Sequence, residues 1–236
     1  MSSIKLVIFD MAGTTVKDQH EVEACFVKAA KQTGLSVSDE RVLALQGYAK
    51  RYVFDLLWRE QLSNEDDIEL KVDESYSAFC TILEKHYHDN PIYPTDGCLE
   101  LFSLLKSKNI KIALTTGFYR EVADIILGKL GWLEGLDHEY MGNNDSIINL
   151  SVTPEVVLKG RPEPYMIQYA MNKLQINNPE EVINIGDTPS DLISGIKAKV
   201  KYSLGVTNGT HNEAQLSEYQ NHGLISNILE LKKYLN

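Results

Sequence analysis

Lys5-Leu-Val-Ile-Phe-Asp10-Met-Ala-Gly-Thr-Thr15 is the stretch that decides the fold of this chain. Its apolar start, rich in Leu, Val and Ile, predicts a short buried strand. The strand delivers Asp10 into a turn that contains Gly13 and two hydroxyl residues. A carboxylate at the carboxyl end of a parallel strand lies where open α/β sheets bind their ligands. Such a carboxylate is a candidate nucleophile or metal ligand, or else a turn residue that accepts hydrogen bonds from its own loop.

The rest of the chain divides into two parts of different character. Residues 18–90 carry apolar side chains at helical spacing and show no strand alternation, which predicts a helical block. From residue 91 onward strands and helices alternate, with strands expected at 110–114, 181–185 and 202–206 and a closing helix at 228–234. This alternation predicts an α/β fold with a Rossmann-like, doubly wound parallel sheet. We therefore expect a core formed by residues 1–17 and 91–236, with residues 18–90 inserted as a helical block.

Composition limits the classes of function. The chain has 236 residues and a net charge of −10, which argues against nucleic-acid binding because that needs a basic face. Its three cysteines are scattered along the chain, so we expect reduced thiols. No apolar run approaches the ~20 residues of a membrane span, so we expect no membrane association and a cytoplasmic protein. Phosphate chemistry on such an acidic chain requires a local pocket of cations. A monomer and a homodimer are equally compatible with the sequence.

Further polar side chains follow later strands of the expected sheet. Thr116 follows the second strand, and Asp187 and Asp191 follow a later strand in the string GDTPSD. Parallel topology brings these strand ends to the edge that carries Asp10. The two acids provide the oxygen ligands that magnesium prefers, although Asp residues also commonly cap helices. Arg161 lies in the segment KGRPEP, where a cation can neutralise a substrate oxyanion or the repulsion between the acids.

Taken in order, the segments DxxGTT, TTG, GRPxP and GDxxxD make the chain resemble the haloacid dehalogenase-like hydrolase superfamily. The resemblance implies that Asp10 is a nucleophile that forms an aspartyl-phosphate and that Thr116 binds the phosphoryl group. It places Arg161 in the position of the basic residue, which is more often lysine in the superfamily. The helical block at 18–90 then resembles the mobile cap that these enzymes insert between their first two motifs.

The same resemblance implies a magnesium site and a set of substrate contacts. Mg²⁺ is expected to bind Asp10, the backbone carbonyl of Ala12 and Asp187, with Asp191 as a further ligand or just behind the ligands. We expect a small phosphorylated or phosphonylated metabolite as substrate. Its expected binding residues are Thr14, Gly47, Gly117 and Arg51.

One departure from the family pattern is chemically informative. Phosphatases of the superfamily carry an Asp two residues after the nucleophile, which protonates the leaving alcohol, whereas this chain has Ala12. General acid catalysis is worth ~10²–10⁴-fold in rate, and a methyl group cannot supply it. Phosphonatases (phosphonoacetaldehyde hydrolases) share this alanine, and DMAGTT, TTGF and GRPEP resemble their motifs. The sequence therefore favours a phosphonatase-like hydrolase.

Cleavage of a carbon–phosphorus bond needs an electron sink, which a lysine provides by condensing with an aldehyde to an iminium ion. Lys50, in the segment Gln46-Gly-Tyr-Ala-Lys50, is the candidate because it occupies the corresponding place in the cap. Related phosphatases and phosphomutases use a cation here only as a charge. The phosphonatase pattern also has methionine and histidine where this chain has Gln46 and Val53. Arg51, next to Lys50, is an alternative residue for binding a phosphate or carboxylate group of the substrate.

Several alternatives therefore stay open. One is a phosphatase of the phosphoglycolate type, in which Lys50 is only a charge. A halide-releasing dehalogenase is disfavoured because the acid pair indicates a metal ion, which those enzymes do not use. A rival from another class is a non-catalytic ligand-binding protein that kept the fold. The six histidines show no shared metal spacing and are expected at the surface. The loop Thr207-Asn-Gly-Thr-His-Asn is expected to be an ordinary turn, and its alternative role is to help frame the site.

Overall fold

A computed structural model describes residues 3–235 and contains one six-stranded, wholly parallel sheet. Its strand order is β3-β2-β1-β4-β5-β6, so the first strand lies in the middle. The strands are β1 (Leu6–Asp10), β2 (Lys111–Thr115), β3 (Leu150–Val152), β4 (Val182–Gly186), β5 (Tyr202–Val206) and β6 (Gly223–Ile225). The direction of winding reverses between β1 and β4, which is the point where such sheets bind ligands.

The four helices that directly follow β1 form the helical insertion. They are α1 (Glu21–Thr33), α2 (Asp39–Ala44), α3 (Lys50–Arg59) and α4 (Glu65–Asp89). Their contact is apolar and aromatic: Phe26 of α1 stacks on Phe54 of α3 with ring centroids 4.3 Å apart, and Phe79 of α4 meets both rings edge-on. All three rings are buried, so this helical insertion has a tightly packed interior of its own.

The remaining helices cover both faces of the sheet. They are α5 (Cys98–Ser107), α6 (Arg120–Lys129), α7 (Tyr165–Lys173), α8 (Pro189–Ala198) and α9 (Glu213–Leu216). Alternating residues of β1 enter opposite layers: Val7 and Phe9 pack in the layer of α5 and α6, whereas Leu6 and Ile8 pack in the layer of α7. Because a strand covered on both faces is apolar throughout, the continuous hydrophobic run of β1 is explained.

The expected doubly wound α/β fold with a helical insertion is confirmed, with differences in detail. The strands β2 and β4 lie one residue later than expected, and the expected closing helix, Ile228–Tyr234, is a 3₁₀ helix. The short strands β3 and β6 were not expected, because three residues are too few to show an alternating pattern.

Within residues 3–235, the structure contains no helix that is both long enough and apolar enough to cross a membrane.

Candidate active site

Three strand ends meet at one edge of the sheet and place the polar side chains that the sequence singled out. Asp10 ends β1 and pairs in register with Thr115, so Thr116 follows directly beside it. Asp187 comes immediately after β4, the other neighbour of β1. All of these side chains are buried. The topology thus brings together residues that are more than a hundred positions apart in the chain.

Asp10, Asp187 and Asp191 form a cluster of buried carboxylates. One oxygen of each lies within 4.8 Å of an oxygen of the others, which is close enough for a shared metal ion after small adjustments. The cluster carries three formal negative charges, and the cation paired with it is Arg161. Since two negative charges remain uncompensated, the donor set fits a divalent, oxygen-seeking cation. The acid cluster could therefore bind a metal ion.

Arg161 joins two of these acids. One guanidinium nitrogen donates to Oδ1 of Asp10 at 2.6 Å, and another donates to Oδ1 of Asp191. Its side chain is only 3% exposed, and its Nε has no hydrogen-bond partner among residues 3–235. Burial raises the pKa of Asp10 to about 6, an effect that Arg161 opposes and the charge of Asp187 reinforces. Arg161 thus holds the Asp10 carboxylate in place and favours its ionised form.

Asp187 is held by donors from two loops. Its Oδ1 accepts from the Thr14 hydroxyl at 3.1 Å, and its Oδ2 accepts from the backbone N–H of Thr210 at 2.6 Å. A Cβ at Gly13, where φ is +80°, would lie 2.1 Å from Oδ2, so only glycine fits against this carboxylate. Burial raises the pKa of Asp187. The loop expected to be an ordinary turn therefore contributes directly to the site through Thr210.

Asp191 also has a structural role at the start of α8. Its Oδ2 accepts from the backbone N–H of Thr188 at 3.1 Å and from the Thr188 hydroxyl at 2.5 Å, forming a capping box. The capping role that the sequence left open is thus present, together with the ion pair to Arg161. Both oxygens of Asp191 are engaged by protein donors, which fixes the carboxylate behind Asp10 and Asp187.

A small cavity, partly open to solvent, is lined by Asp10. The core lines it with Ala12, Thr116, Gly117 and Arg161, and the helical insertion lines it with Gly47, Tyr48 and Lys50. The residues that line this cavity include most of those expected to act in catalysis or substrate binding.

Lys50 enters this cavity from the first turn of α3. It is 8% exposed, and its Nζ donates to Oε1 of Gln46 at 3.1 Å. Burial lowers the pKa of the amine to about 8; the charge of Arg161 adds to that effect, while Asp18 and Asp10 oppose it. A buried amine with this pKa is neutral in a substantial fraction of molecules near pH 8, which is the form that attacks carbonyl groups.

The segment before Lys50 sits tightly on the core. A Cβ at Gly47, where φ is +78°, would lie 2.3 Å from Oγ of Ser190, and a Cβ at Gly117 would lie 3.0 Å from the carbonyl oxygen of Gly47. These distances leave no room for a side chain at Gly47. Close approach of two backbones brings the Lys50 amine to the edge of the sheet that carries Asp10.

Some expected residues lie elsewhere. Arg51 is exposed on the helical insertion, where it pairs with Glu69 at 2.6 Å and Asp73 at 2.8 Å, and it does not line the cavity. The expectation of a surface position was wrong for His211, which is buried because its loop folds under α2 and against Asp187. Sequence reasoning also missed Asp18, which lines the cavity beside Lys50.

Comparison with known proteins agrees with this geometry. Residues 4–199 match the family model for haloacid dehalogenase-like hydrolases. A curated relative, the phosphonoacetaldehyde hydrolase of Bacteroides fragilis, is 30% identical over 244 residues, covering 98% of this chain and 86% of the relative. A phosphonoacetaldehyde hydrolase of Bacillus cereus is 31% identical over 228 residues, covering 92% of this chain and 80% of the relative.

Solved structures have the same fold. A hydrolase from Pseudomonas syringae superimposes with a TM-score of 0.80 at 22% identity, covering 99% of this chain and 98% of that one. The matched family model spans most of the chain, and the curated relatives match nearly all of it at 30–31% identity. The chain is therefore an enzyme that belongs to the haloacid dehalogenase-like hydrolases.

Proposed function

We propose that this enzyme is a magnesium-dependent phosphonatase that cleaves the carbon–phosphorus bond of a small phosphonate aldehyde. Phosphonoacetaldehyde, the substrate named in the curated relatives, is the first compound to test. The observation that carries the proposal is the buried Lys50 amine, which lines the same cavity as the Asp10 carboxylate. In this proposal residues 18–90 are a cap over a core of residues 1–17 and 91–236.

Asp10 is the proposed nucleophile. Its carboxylate attacks phosphorus and forms an aspartyl-phosphate, which water then hydrolyses. Arg161 orients the carboxylate through Oδ1, and Thr116 is positioned to donate to a phosphoryl oxygen. Mg²⁺ held by Asp10, Asp187 and the carbonyl of Ala12 would neutralise charge on the phosphoryl oxygens.

Lys50 is the proposed electron sink. Its neutral amine condenses with the substrate aldehyde, and the resulting iminium ion accepts the electron pair of the breaking carbon–phosphorus bond. This route leaves no alkoxide to protonate, so it does not need the acid that phosphatases carry at the position of Ala12. Both the lowered pKa of Lys50 and the alanine support the same chemistry.

The test compares three proteins on phosphonoacetaldehyde with magnesium present. Wild type should release phosphate, and borohydride added during turnover should leave a reduced adduct on Lys50 that mass spectrometry locates. Asp10→Asn should release no phosphate because it lacks the nucleophile. Lys50→Arg, which keeps the charge but cannot form an imine, should also be inactive.

Other outcomes identify the rival functions. Phosphate release from phosphoglycolate with no adduct on Lys50, and full activity of Lys50→Arg, would replace the proposal with an ester phosphatase. Binding of small phosphorylated compounds without any release, seen as a thermal shift, would identify a non-catalytic protein. Persistent turnover in Asp10→Asn would remove the nucleophile assignment.

A further inference from the structure

Imine formation at Lys50 requires a proton donor that the family pattern does not supply in this chain. The phosphonatase pattern has a histidine at the position of Val53, whose side chain here is buried in the apolar interior of the helical insertion. Val53 does not line the cavity. The amine must give up water from its first adduct with the aldehyde, and loss of hydroxide without a proton is slow. Another acid must therefore reach the reacting atoms.

Asp18 is the acid that the cavity offers. It follows β1 and precedes α1, and it lines the cavity together with Lys50 and Asp10. In its ionised form, Asp18 is the charged group with the largest effect on the pKa of the Lys50 amine. The other acid of the cavity lining, Asp10, is already paired with Arg161. Asp18 pairs with no cation among the described salt bridges, and its carboxyl group shares a side-chain hydrogen bond with Glu21, the nearby carboxylate of α1.

We propose that Asp18 is a catalytic proton donor for imine formation at Lys50, taking the part that a histidine plays in the family pattern. The inference rests on the proposed phosphonatase function, because it requires an aldehyde substrate. It adds a residue that neither the family motifs nor the spacing of the sequence singled out.

The proposed step balances as follows. The neutral amine of Lys50 adds to the aldehyde carbon and gives a carbinolamine. The Asp18 carboxyl group gives its proton to the carbinolamine hydroxyl, the carbon–oxygen bond breaks, and water leaves. The nitrogen lone pair forms the second carbon–nitrogen bond, so an iminium cation and the Asp18 carboxylate remain side by side. The new carboxylate stabilises the new cation.

The surroundings of Asp18 favour the protonated form that this step needs. Burial raises the pKa of Asp18 to about 8, and a side-chain hydrogen bond to Glu21 at the start of α1 raises it further, as do the charges of Glu21 and of Asp187 after β4. The charge of Asp18 also acts on the hydroxyl of Tyr87 in α4. The cation on which the charge of Asp18 acts is the Lys50 ammonium. A carboxyl group with this pKa holds its proton at neutral pH, which is unusual for aspartate.

Asp18 also has a structural contact that the test must separate from catalysis. Its Oδ1 accepts the backbone N–H of Glu21 at 3.0 Å, near the start of α1. Asn at this position keeps an oxygen that can accept the same hydrogen bond but has no acidic proton. Asp18→Asn is therefore the informative variant, and Asp18→Ser, which also provides an acceptor oxygen, is the second.

The experiment measures how fast borohydride fixes phosphonoacetaldehyde to Lys50 with magnesium removed by a chelator. We expect Asp18→Asn and Asp18→Ser to form the adduct about 10²-fold or more slowly than wild type, which is the range of general acid catalysis. Asp18→Glu should recover part of the rate. The matched control is Glu23→Gln, because Glu23 is an acid of α1 that has only a small effect on the pKa of Lys50 and pairs with His20. The trapping rate of this variant should stay within about twofold of wild type.

The outcomes separate this inference from the proposed function. If wild type forms no adduct on Lys50, the phosphonatase proposal fails and Asp18 is irrelevant to it. If wild type forms the adduct and Asp18→Asn forms it equally fast, the phosphonatase proposal stands and the role of Asp18 is refuted. A slow adduct in Asp18→Asn with a melting temperature equal to that of wild type supports the inference, and a loss equal to that in Glu23→Gln contradicts it.

Discussion

Replacing Arg161 with methionine tests the electrostatics of the site most directly. The guanidinium pairs with Asp10 and Asp191, and the three side chains are 3%, 7% and 2% exposed. Methionine fills much of the same volume but leaves two carboxylates buried without their cation. Removing one partner of a buried ion pair costs about 3–5 kcal/mol. We therefore expect Arg161→Met to lose about 3–5 kcal/mol of unfolding free energy at pH 8.

The loss should depend on pH with a definite sign. The pKa of Asp10 is already raised to about 6, above its value of 3.8 in an unfolded chain, and removal of Arg161 raises it further. A carboxyl group with a raised folded-state pKa favours folding while it is protonated, and that contribution is lost as the pH rises through the folded-state pKa. The deficit of Arg161→Met should thus be smaller at pH 5 than at pH 8.

Urea unfolding followed by tryptophan fluorescence measures this loss, since Trp58 and Trp132 are both buried. Arg51→Met is the matched control, because Arg51 also bridges two acids, Glu69 and Asp73, but at an exposed surface. Solvent screening limits its loss to at most about 1 kcal/mol. Equal losses for Arg161→Met and Arg51→Met, or a larger loss for Arg161→Met at pH 5 than at pH 8, would refute the reasoning.

Three further predictions concern the cavity. Gly47→Ala should lower kcat/KM about tenfold or more while the protein stays folded, because its Cβ would lie 2.3 Å from Oγ of Ser190 and push the Lys50 segment off the core; unchanged steady-state kinetics would contradict this. The rate of borohydride trapping at Lys50 should rise between pH 6 and the amine pKa of about 8 as the neutral amine forms, so a flat profile over that range would be evidence against a buried reactive amine. Magnesium at a hundred times its Kd should raise the unfolding free energy by about 2.7 kcal/mol in calorimetry. Asp187→Asn, which removes a carboxylate charge, should show a smaller increase. An equal increase in both proteins would exclude the acid cluster as the magnesium site.

The sequence predicted the sheet and the gathering of its strand ends for a physical reason. A buried parallel strand is apolar throughout, so β1, β2 and β4 were recognisable, and parallel topology then places Asp10, Thr116 and Asp187 at one edge. Neither step needs knowledge of side-chain contacts. That is why residues separated along the chain could be assigned to one site.

Residues brought in by loops could not be predicted in the same way. Thr210 acts through its backbone N–H, which every residue except proline has, so the residue type carries no signal. Asp18 faces Lys50 only because the helical insertion folds back over the sheet edge. Arg51 shows the converse: it is adjacent to Lys50 in sequence, yet a step of one residue along a helix turns its side chain to the exposed face.

The enclosure of Lys50 makes the reactivity of its amine conditional. Burial is the main cause of its lowered pKa, and the walls of the enclosure come from two separate stretches of chain. If the contact between Gly47 and Gly117 were loosened and water reached the amine, the pKa of Lys50 would rise toward its usual value and the amine would be protonated at neutral pH. The tight glycine contact would thus tie the proposed reactivity of Lys50 to the packing of the helical insertion on the core.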